Sequence, residues 1–490
     1  MASALDMRRP AAGVAAVLAT ALLIWFGSGL DPFWPLMWFA PLPVLLFSLD
    51  ASAPSATLVA GLGMILGSTN LWGYFHGPLG MPLPILVPIY ATEGAMYALA
   101  VLLFRALARR RAYWSALLAF PACWVSFEWL LNLSSPHGTA GSLAYSQLRF
   151  PPFLQLASLT GPWGMSFLLC AFPAALALAI RLRSEAPRQG YRILGATAAV
   201  VAAVLAFGTV RLLVPPAGVP AKVGLVASDG ANEHVADDGA STAKLLDEYA
   251  EPVARLAAEG ATVVVLPEKI GVVVDPDTRS VDGQLQSLAD QAHVRVVVGV
   301  IRVVPAGAGH PVKVRYNEAR VYTPGSPMES YDKEHMLPPF ESNLTPGTTL
   351  TLLHTSLGQT TWGVAICKDM DFTQLSRRYG EAGAGLVLVP AWDFFMDWIL
   401  HGHMAMMRGV ESGFAVVRSA KGGSLFVSDN RGRILGEIKS NATPFSSLLV
   451  SVPQTHDPTL FLMWGDWFAW VALVLLALNL FALARGWRVT

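Results

Sequence analysis

Charged residues are scarce in this chain of 490 residues. They make up 14% of it, against about 25% in an average soluble protein, while 53% of the residues are hydrophobic and the mean hydropathy is +0.47. This composition excludes a wholly soluble chain, and it excludes disorder over most of the length, because disorder needs low hydrophobicity and high net charge. Basic and acidic residues balance at 34 each, so no global charge favours a nucleic acid partner.

Motifs of several other enzyme classes are also missing. The chain contains no G-x-S-x-G, no H-E-x-x-H and no C-x-x-C, so it lacks the serine elbow of α/β-hydrolases and these common zinc motifs. The H-x-H at His401 and His403 is far more often structural than metal-binding. Gly383 and Gly385 lack the third glycine of a dinucleotide-binding loop. We therefore expect neither a metal nor a cofactor.

The few charges are unevenly distributed, which indicates a division of the chain. Residues 1–219 contain twelve arginines, no lysine and six acidic residues, a net charge of +6, whereas residues 220–490 carry −6. Apolar runs long enough to cross about 30 Å of hydrocarbon fill the first part and recur at the end. We predict a transmembrane domain over 1–219, a folded catalytic domain over 220–455, and a C-terminal transmembrane helix with a short cytoplasmic tail over 456–490.

The apolar runs predict eight membrane spans. They lie near residues 11–30, 33–49, 54–75, 82–104, 113–131, 162–180, 193–214 and 467–484. With eight spans, every arginine cluster falls on one side of the membrane, and the positive-inside rule makes that side cytoplasmic. The segment 215–463 is then extracytoplasmic. Glu128 lies near the end of a span, where we expect it to hydrogen-bond a neighbouring helix or to sit at an interface.

The segment between the last two spans alternates short strands with helical stretches. Apolar runs at 263–266, 294–300, 362–366, 386–389 and 415–417 predict buried strands of a sheet that is covered on both faces. Residues 241–258 predict a helix that is capped by Ser241 or Thr242. The length of this segment suits one α/β domain.

Three motifs place a reactive side chain just after a predicted strand. VVVLPEK carries Glu268, YDKEHMLPPFE carries Lys333 and Glu341, and WGVAICKDMDF carries Cys367. Open α/β sheets collect their sites at the carboxyl ends of strands, so these groups are expected to meet. Glu268 would accept the thiol proton, Cys367 would attack a carbonyl carbon and Lys333 would stabilise the oxyanion. Each residue also has an ordinary interpretation, as a surface acid, a surface base or a buried thiol.

In this order, the motifs resemble the nitrilase (carbon–nitrogen hydrolase) superfamily, which has a Glu–Lys–Cys triad on an αββα sandwich. The block from PAWDF to NRGR is also similar to that superfamily, with Arg408, Glu411 and Arg418 on the helix and strand after the cysteine. Membrane segments such as DPFWPLMWFAPLPVLL, FEWLLN and FLQLASLTGPWGMSFLL narrow the resemblance to the bacterial apolipoprotein N-acyltransferase family. The implied fold is an α-helical transmembrane bundle of about eight spans plus an α/β nitrilase-like sandwich domain.

This resemblance implies a two-step acyl transfer at the bacterial cytoplasmic membrane. Cys367 would take an acyl chain from a membrane phospholipid as a thioester and pass it to the N-terminal amine of the diacylglyceryl-cysteine of an apolipoprotein. The implied partners are phospholipid, diacylated apolipoprotein and the membrane, with no nucleic acid and no cofactor. Glu341 would orient Lys333 or relay a proton, with a structural ion pair as the alternative, and Asp369 would support the site.

The sequence departs from the family pattern next to the cysteine, where Lys368 and Asp369 replace the usual aromatic residue and glutamate. Three alternatives stay open: a membrane-anchored amidase that uses water, an acyltransferase with a different amine acceptor, and a non-enzymatic scaffold or transporter. The aromatic residues Trp392, Phe394, Phe395 and Trp398 are candidates to line a path for lipid. Packing is the simpler interpretation of any one of them.

Overall fold

The computed structural model describes residues 2–229, 238–275, 279–307, 312–355 and 360–485. The chain divides into two compact units. A helical unit comprises Met1–Ser134, Gly141–Leu213 and Trp464–Thr490, and an α/β unit comprises Ser135–Ala140 and Val214–Met463. Most of the predicted cytoplasmic tail, residues 486–490, lies outside the described residues.

Among its described residues, the helical unit begins with ten α-helices and ends with the helix Trp467–Ala484. The ten are α1 Ala2–Gly27, α2 Leu42–Asp50, α3 Ala53–Ser68, α4 Trp72–His76, α5 Leu83–Arg109, α6 Tyr113–Ser134, α7 Pro151–Leu154, α8 Ala157–Thr160, α9 Pro162–Leu182 and α10 Pro187–Leu213. Among the described residues, seven helices are long and apolar enough to cross a membrane. They are Pro10–Gly27, Ala53–His76, Leu83–Arg109, Tyr113–Ser134, Pro162–Leu182, Pro187–Leu213 and Trp467–Ala484. These seven coincide with seven of the eight predicted spans.

The remaining predicted span, near 33–49, is broken into two pieces. A 3-10 turn at Trp34–Trp38 precedes α2, which has nine residues. Proline fits best in the first turn of a helix, and Pro41 and Pro43 flank the start of α2. A helix of this length extends only ~14 Å, about half of the hydrocarbon thickness.

Glu128 on α6 is tied into the helical unit by three hydrogen bonds. Its carboxylate accepts from Trp124 Nε1 at 2.9 Å, from Ser142 Oγ at 3.0 Å and from the Leu143 amide at 2.8 Å. Asp466 is satisfied in the same way, by the indole N–H groups of Trp129 and Trp163 at 3.2 and 2.8 Å. We expected Glu128 to bond a neighbouring helix or to sit at an interface; its three bonds go to its own helix and to residues 142 and 143.

The α/β unit contains thirteen strands and five helices among its described residues. The helices are α11 Gly239–Ala258, α12 Arg279–Ala292, α13 Thr373–Glu381, α14 Leu400–Ser412 and α15 Leu460–Trp464. The strands are β1 Pro220–Ala227, β2 Val263–Val265, β3 Gly271–Val274, β4 Arg295–Val304, β5 Val314–Tyr322, β6 Glu329–Asp332, β7 Thr351–His354, β8 Thr361–Val364, β9 Ala384–Trp392, β10 Ala415–Lys421, β11 Ser424–Ser428, β12 Ile434–Lys439 and β13 Ser446–Pro453.

The strands form two sheets that pack face to face. One has the order β13-β1-β2-β4-β5-β6, with β3 also beside β4, and the other has the order β12-β11-β10-β9-β8-β7. Val265 and Leu388 belong to the buried cluster shared by the two sheets. Val264, one residue along β2, packs instead with helix residues such as Tyr249, and Val387 packs with Ala405 of α14. Four layers result, which confirms the expected αββα sandwich and the five predicted strands.

The helix predicted over 241–258 begins two residues earlier, and its predicted cap is wrong. Asp238 is the N-cap of α11, and its carboxylate accepts a hydrogen bond from the Ser241 amide at 2.7 Å. Aspartate is as good an N-cap as serine and better than threonine. The side chain of Thr242 instead donates to the Asp238 and Val272 carbonyls.

Candidate active site

Glu268 lies at the carboxyl end of β2, on a turn that crowds the neighbouring strand. Its side chain is 1% exposed. The turn passes so close to β4 that a Cβ at Gly299 would lie 2.5 Å from the Glu268 Cα. Only glycine fits at that position without moving the backbone. The Glu268 amide also donates to the Ala391 carbonyl of β9 at 3.2 Å. This bond joins the two sheets at the carboxyl ends of their central strands.

Lys333 follows β6 and is held between two carboxylates. Its Nζ donates to Glu268 Oε1 at 2.8 Å and to Glu341 Oε2 at 2.9 Å, and its side chain is 2% exposed. Burial alone would lower the pKa of Lys333, but Glu268, Glu341 and Cys367 raise it well above its ordinary value. This amine is therefore a fixed positive charge inside the sandwich.

Two further side chains, neither of them predicted from the sequence, contact the same two carboxylates. Asn317 on β5 donates through Nδ2 to Glu268 Oε1 at 2.6 Å and to Glu341 Oε1 at 2.8 Å. Lys269 pairs with Glu341 Oε1, and its Nζ lies 3.8 Å from Glu268 Oε1. Burial would raise the pKa of Glu341, but Lys333 and Lys269 lower it to about 2. Glu341 is therefore an ionised partner of both lysines.

Cys367 follows β8 at a sharp turn in the backbone. Its φ is +45°, in the left-handed region that residues with a Cβ rarely adopt. The thiol donates to the Trp392 carbonyl at 3.5 Å, and Arg418 Nη2 lies 3.9 Å from Sγ. Burial and the charge of Glu268 raise the pKa of the thiol, and Lys333 and Arg418 oppose them. The resting residue is therefore a thiol that needs a base.

Asp369 anchors the turn that carries Cys367. One carboxylate oxygen accepts from the Ile366 amide at 3.0 Å and from the Tyr331 hydroxyl at 2.8 Å. The other accepts from the backbone amide of His335 at 2.9 Å and lies 3.1 Å from its Nδ1. Because Tyr331 and His335 flank Lys333 in the chain, this one carboxylate joins the turn of the nucleophile to the segment of the lysine.

Arg418 and Lys368 are both paired with aspartates near the cysteine. Arg418 makes two hydrogen bonds to Asp393, at 2.7 and 2.5 Å. Lys368 pairs with Asp371 at 3.3 Å and lies 3.2 Å from His137 Nδ1. Burial lowers the pKa of His137 to about 4, with a further contribution from Lys368. The departure at position 368 therefore replaces an aromatic side chain by a paired cation.

The four aromatic candidates for a lipid path, and the arginine and glutamate that follow them on α14, lie in different environments. Trp392 lies against lysine amines, Phe394 packs on Phe340 with ring centroids 5.4 Å apart, and Trp398 is covered by Lys439. Phe395 is 44% exposed. Arg408 and Glu411 form a fully buried pair on α14 at 2.8 Å.

Sequence reasoning missed Asn317, Lys269, Lys421 and Asp393. β5 reads VRYNEARVY, with Glu318 and Arg320 close to Asn317, so no apolar pattern marked Asn317 as a buried amide. Lys269 directly follows Glu268 in the VVVLPEK motif. Lys421 and Asp393 follow the apolar centres of β10 and β9, the same position relative to a strand that marked Glu268 and Cys367.

Comparison with known proteins gives two family matches that lie side by side along the chain. Residues 12–176 match the model described as apolipoprotein N-acyltransferase N-terminal domain. Residues 225–443 match the model described as carbon-nitrogen hydrolase.

Relatives that align with most of the chain agree with this arrangement. A protein from Geobacter metallireducens named apolipoprotein N-acyltransferase is 28% identical over 390 residues, covering 73% of this chain and 72% of the relative. One of the same name from Rhizobium meliloti is 26% identical over 448 residues, covering 80% and 82%. Among solved structures, an amidase from Nesterenkonia sp. aligns with 49% of this chain and 93% of its own, with a TM-score of 0.40 and 23% identity.

Proposed function

This chain belongs to the apolipoprotein N-acyltransferase family, and we propose that it performs acyl transfer through a triad of Glu268, Lys333 and Cys367. It is a membrane enzyme that N-acylates lipoproteins, with lipid and lipoprotein as substrates. The triad, the phospholipid donor and the diacylglyceryl-cysteine acceptor are the proposed particulars. One observation carries the triad: Lys333 bridges two buried carboxylates beside a thiol on which its charge acts.

In the first step, Glu268 accepts the thiol proton while sulfur attacks the ester carbonyl of a phospholipid. Lysine and asparagine donors all reach Glu268 through Oε1, which leaves Oε2 for the thiol proton. The negative charge that develops on the carbonyl oxygen is stabilised by Lys333, a fixed charge in a buried site. When the C–O bond breaks, Glu268 returns the proton to the leaving lysophospholipid, and the acyl group stays on Cys367 as a thioester.

In the second step, the N-terminal amine of the acceptor attacks the thioester carbonyl. Glu268 takes one proton from the attacking nitrogen, and Lys333 again stabilises the oxyanion. The C–S bond breaks, the amide forms, and the proton on Glu268 returns to the thiolate. A thioester is more reactive toward amines than the oxygen ester from which it formed, so exclusion of water is essential to prevent hydrolysis.

We also propose that the protein lies in the cytoplasmic (inner) membrane, with the domain expected over 220–455 on the extracytoplasmic side. The support is the distribution of arginine under the positive-inside rule. This orientation requires the broken segment Trp34–Asp50 to return the chain across the bilayer, although it is shorter than the seven long helices. A reporter fused near residue 300 that is active only in the cytoplasm contradicts this arrangement.

Intact-protein mass spectrometry tests the triad most directly. The full-length protein is incubated with a defined phospholipid, and an acyl-sized mass gain is expected on the wild type and not on Cys367→Ala. Cys123→Ala is the matched control, because Cys123 is a buried thiol of α6 in the helical unit, and it is expected to gain the mass. A diacylglyceryl-cysteine peptide should then release the adduct as its N-acyl product.

Two outcomes overturn the proposal. An equal mass gain on Cys367→Ala excludes that residue as the acyl carrier. An adduct that only water releases excludes the amine acceptor and indicates a hydrolase.

A further inference from the structure

A second buried lysine lies beside the triad and has no role in the mechanism above. Lys421 is the last residue of β10, directly opposite Trp392 of β9, and it is 2% exposed. Lysine is almost never fully buried unless its amine is paired. Within the described ranges this amine makes no ion pair. It donates instead to the Lys269 carbonyl at 3.1 Å and lies 3.7 Å from the centroid of the Trp392 ring.

Both partners of Lys421 belong to the candidate active site. Lys269 directly follows Glu268, and its φ of +52° lies in a region that a lysine backbone rarely adopts, so its surroundings have to maintain that turn. Trp392 supplies the carbonyl that accepts the Cys367 thiol. Lys421 thus contacts the turn that carries the base and the residue that bonds the nucleophile.

We propose that Lys421 is a positioning residue for acyl transfer. By holding the Lys269 carbonyl and the Trp392 indole together, it sets the position of Glu268 relative to the thiol of Cys367. This inference rests on the proposed triad, and it adds a fifth charged side chain to Glu268, Glu341, Lys269 and Lys333.

The charge of Lys421 is as important as its position. Glu268 and Glu341 balance Lys269 and Lys333, so these four groups carry no net charge when all are ionised. Protonation of Lys421 adds one positive charge to this neutral set. That charge acts on the carboxylate of Glu268 and offsets its repulsion of a thiolate at Cys367, since an opposite charge nearby stabilises an ionised form.

The groups that face Lys421 place its titration close to neutrality. Burial lowers its pKa to about 7, with Lys269 acting in the same direction, while Glu268 and Asp229 oppose them. Glu268 and Lys269 come from the turn after β2, and Asp229 from the loop after β1, where it accepts from the Gly422 amide at 2.8 Å. The extra charge is therefore present below about pH 7 and is lost as the pH rises through that value.

The test compares Lys421→Met and Lys421→Arg with wild type, each as the full-length protein. Methionine keeps the length of the side chain without an amine, and arginine keeps a donor that is charged at every accessible pH. Lys222→Met is the matched control, because Lys222 also donates to a backbone carbonyl, that of Glu259 at 3.3 Å, but from an exposed position near the start of β1. Two readouts are measured from pH 5.5 to 9. The first is iodoacetamide labelling of Cys367, followed by peptide mass spectrometry. The second is the kcat and KM of acyl transfer from the phospholipid to a diacylglyceryl-cysteine peptide.

We expect Lys421→Met to lower kcat by about ten- to a hundredfold, the size of effect that a misplaced reacting group produces, with little change in KM. The wild-type labelling profile should show an inflection near pH 7 that both Lys421 variants lose. Labelling of Cys367 at acid pH should be slower in Lys421→Met than in wild type, because the variant lacks the protonated amine that favours the thiolate. Lys222→Met should reproduce the wild type in both readouts.

A wild-type kcat in Lys421→Met overturns the inference. So does an inflection near pH 7 that persists in both variants, because a lysine that only fills space would lower activity without moving the profile. If Lys421→Met does not yield folded protein, the profile of Lys421→Arg decides alone. If wild type labels at Cys367 but never forms an acyl adduct, the proposed acyl transfer fails, and labelling still tests Lys421.

Discussion

The two units of the molecule both bury carboxylates, and they satisfy them in different ways. In the helical unit, Glu128 accepts only from neutral donors: an indole, a hydroxyl and a backbone amide. In the α/β unit, Glu268 and Glu341 share Lys333, with Lys269 and Asn317 beside them. Burial is nearly complete in both places.

The difference separates a structural anchor from the proposed reactive site. Neutral donors satisfy the oxygens of a carboxylate and fix the backbone around it, but they bring no charge that can stabilise a second anion. Lysines do, because their charge persists when sulfur or oxygen becomes negative during the reaction. The type of donor, and not the depth of burial, is therefore the feature that identifies the site.

The largest expected effect compares Glu268→Gln with Glu128→Gln. Glutamine keeps the shape of each side chain but cannot accept the thiol proton, so Glu268→Gln should lower the rate of thioester formation by about 10²–10⁴-fold. Glu128→Gln should keep that rate and lose stability by about 1–3 kcal/mol, because one buried oxygen becomes a donor that faces other donors. Adduct formation by mass spectrometry and thermal unfolding separate the two effects. An inactive but fully stable Glu128→Gln would contradict a purely structural role for Glu128.

Asn317→Ala should give the next largest effect. Asn317 Nδ2 bridges Glu268 and Glu341, so its removal leaves both carboxylates dependent on lysine alone and frees them to shift. We expect kcat to fall by about tenfold or more, with a smaller change in KM. Steady-state acyl transfer measures this. Unchanged kcat would mean that the lysines alone hold the carboxylates in place.

Asp369→Asn tests whether the turn of Cys367 depends on a carboxylate. Asparagine replaces one accepting oxygen by an N–H₂ group that meets the donors of Ile366, Tyr331 or His335. We expect a loss of about 1–3 kcal/mol of stability and slower labelling of Cys367 by iodoacetamide. Asp369→Ala should be at least as unstable. If both variants melt at the wild-type temperature, contacts other than those of Asp369 stabilise the turn of Cys367.

The smallest expected effect is a pH dependence that comes from His401. Burial lowers the pKa of this imidazole, but Asp397, Asp393 and Asp371 raise it to about 9, above the ordinary value of about 6.5. The stability that it contributes is therefore complete below about pH 6.5 and is lost as the pH rises through 9. The melting temperature of the wild type should fall between pH 7 and 9.5 by more than that of His401→Gln. Parallel curves would show that the pairing with Asp397 contributes no net stability.

Much of this architecture could be predicted from the sequence, since apolar runs of two distinct lengths separate membrane helices from buried strands. The strand-end motifs predict a site of Glu268, Lys333 and Cys367, and the structure places the first two in contact. Asn317 could not be located in this way, because the pairing of β5 with β4 and β6 brings it to the site. The predicted span near 33–49 is broken where the sequence has several prolines, and a prediction from hydropathy alone does not take proline into account.

The left-handed backbone of Cys367 has a consequence for how this chain can change over time. A side chain at φ +45° costs about 1–2 kcal/mol relative to the right-handed region, and glycine would remove that cost along with the sulfur. Cys367→Gly should therefore lose little stability, because the relieved backbone cost offsets the loss of a thiol packed against the core, and it should be inert. We expect lineages that no longer need the reaction to lose this residue early, because the relieved backbone cost favours glycine once selection for activity is gone.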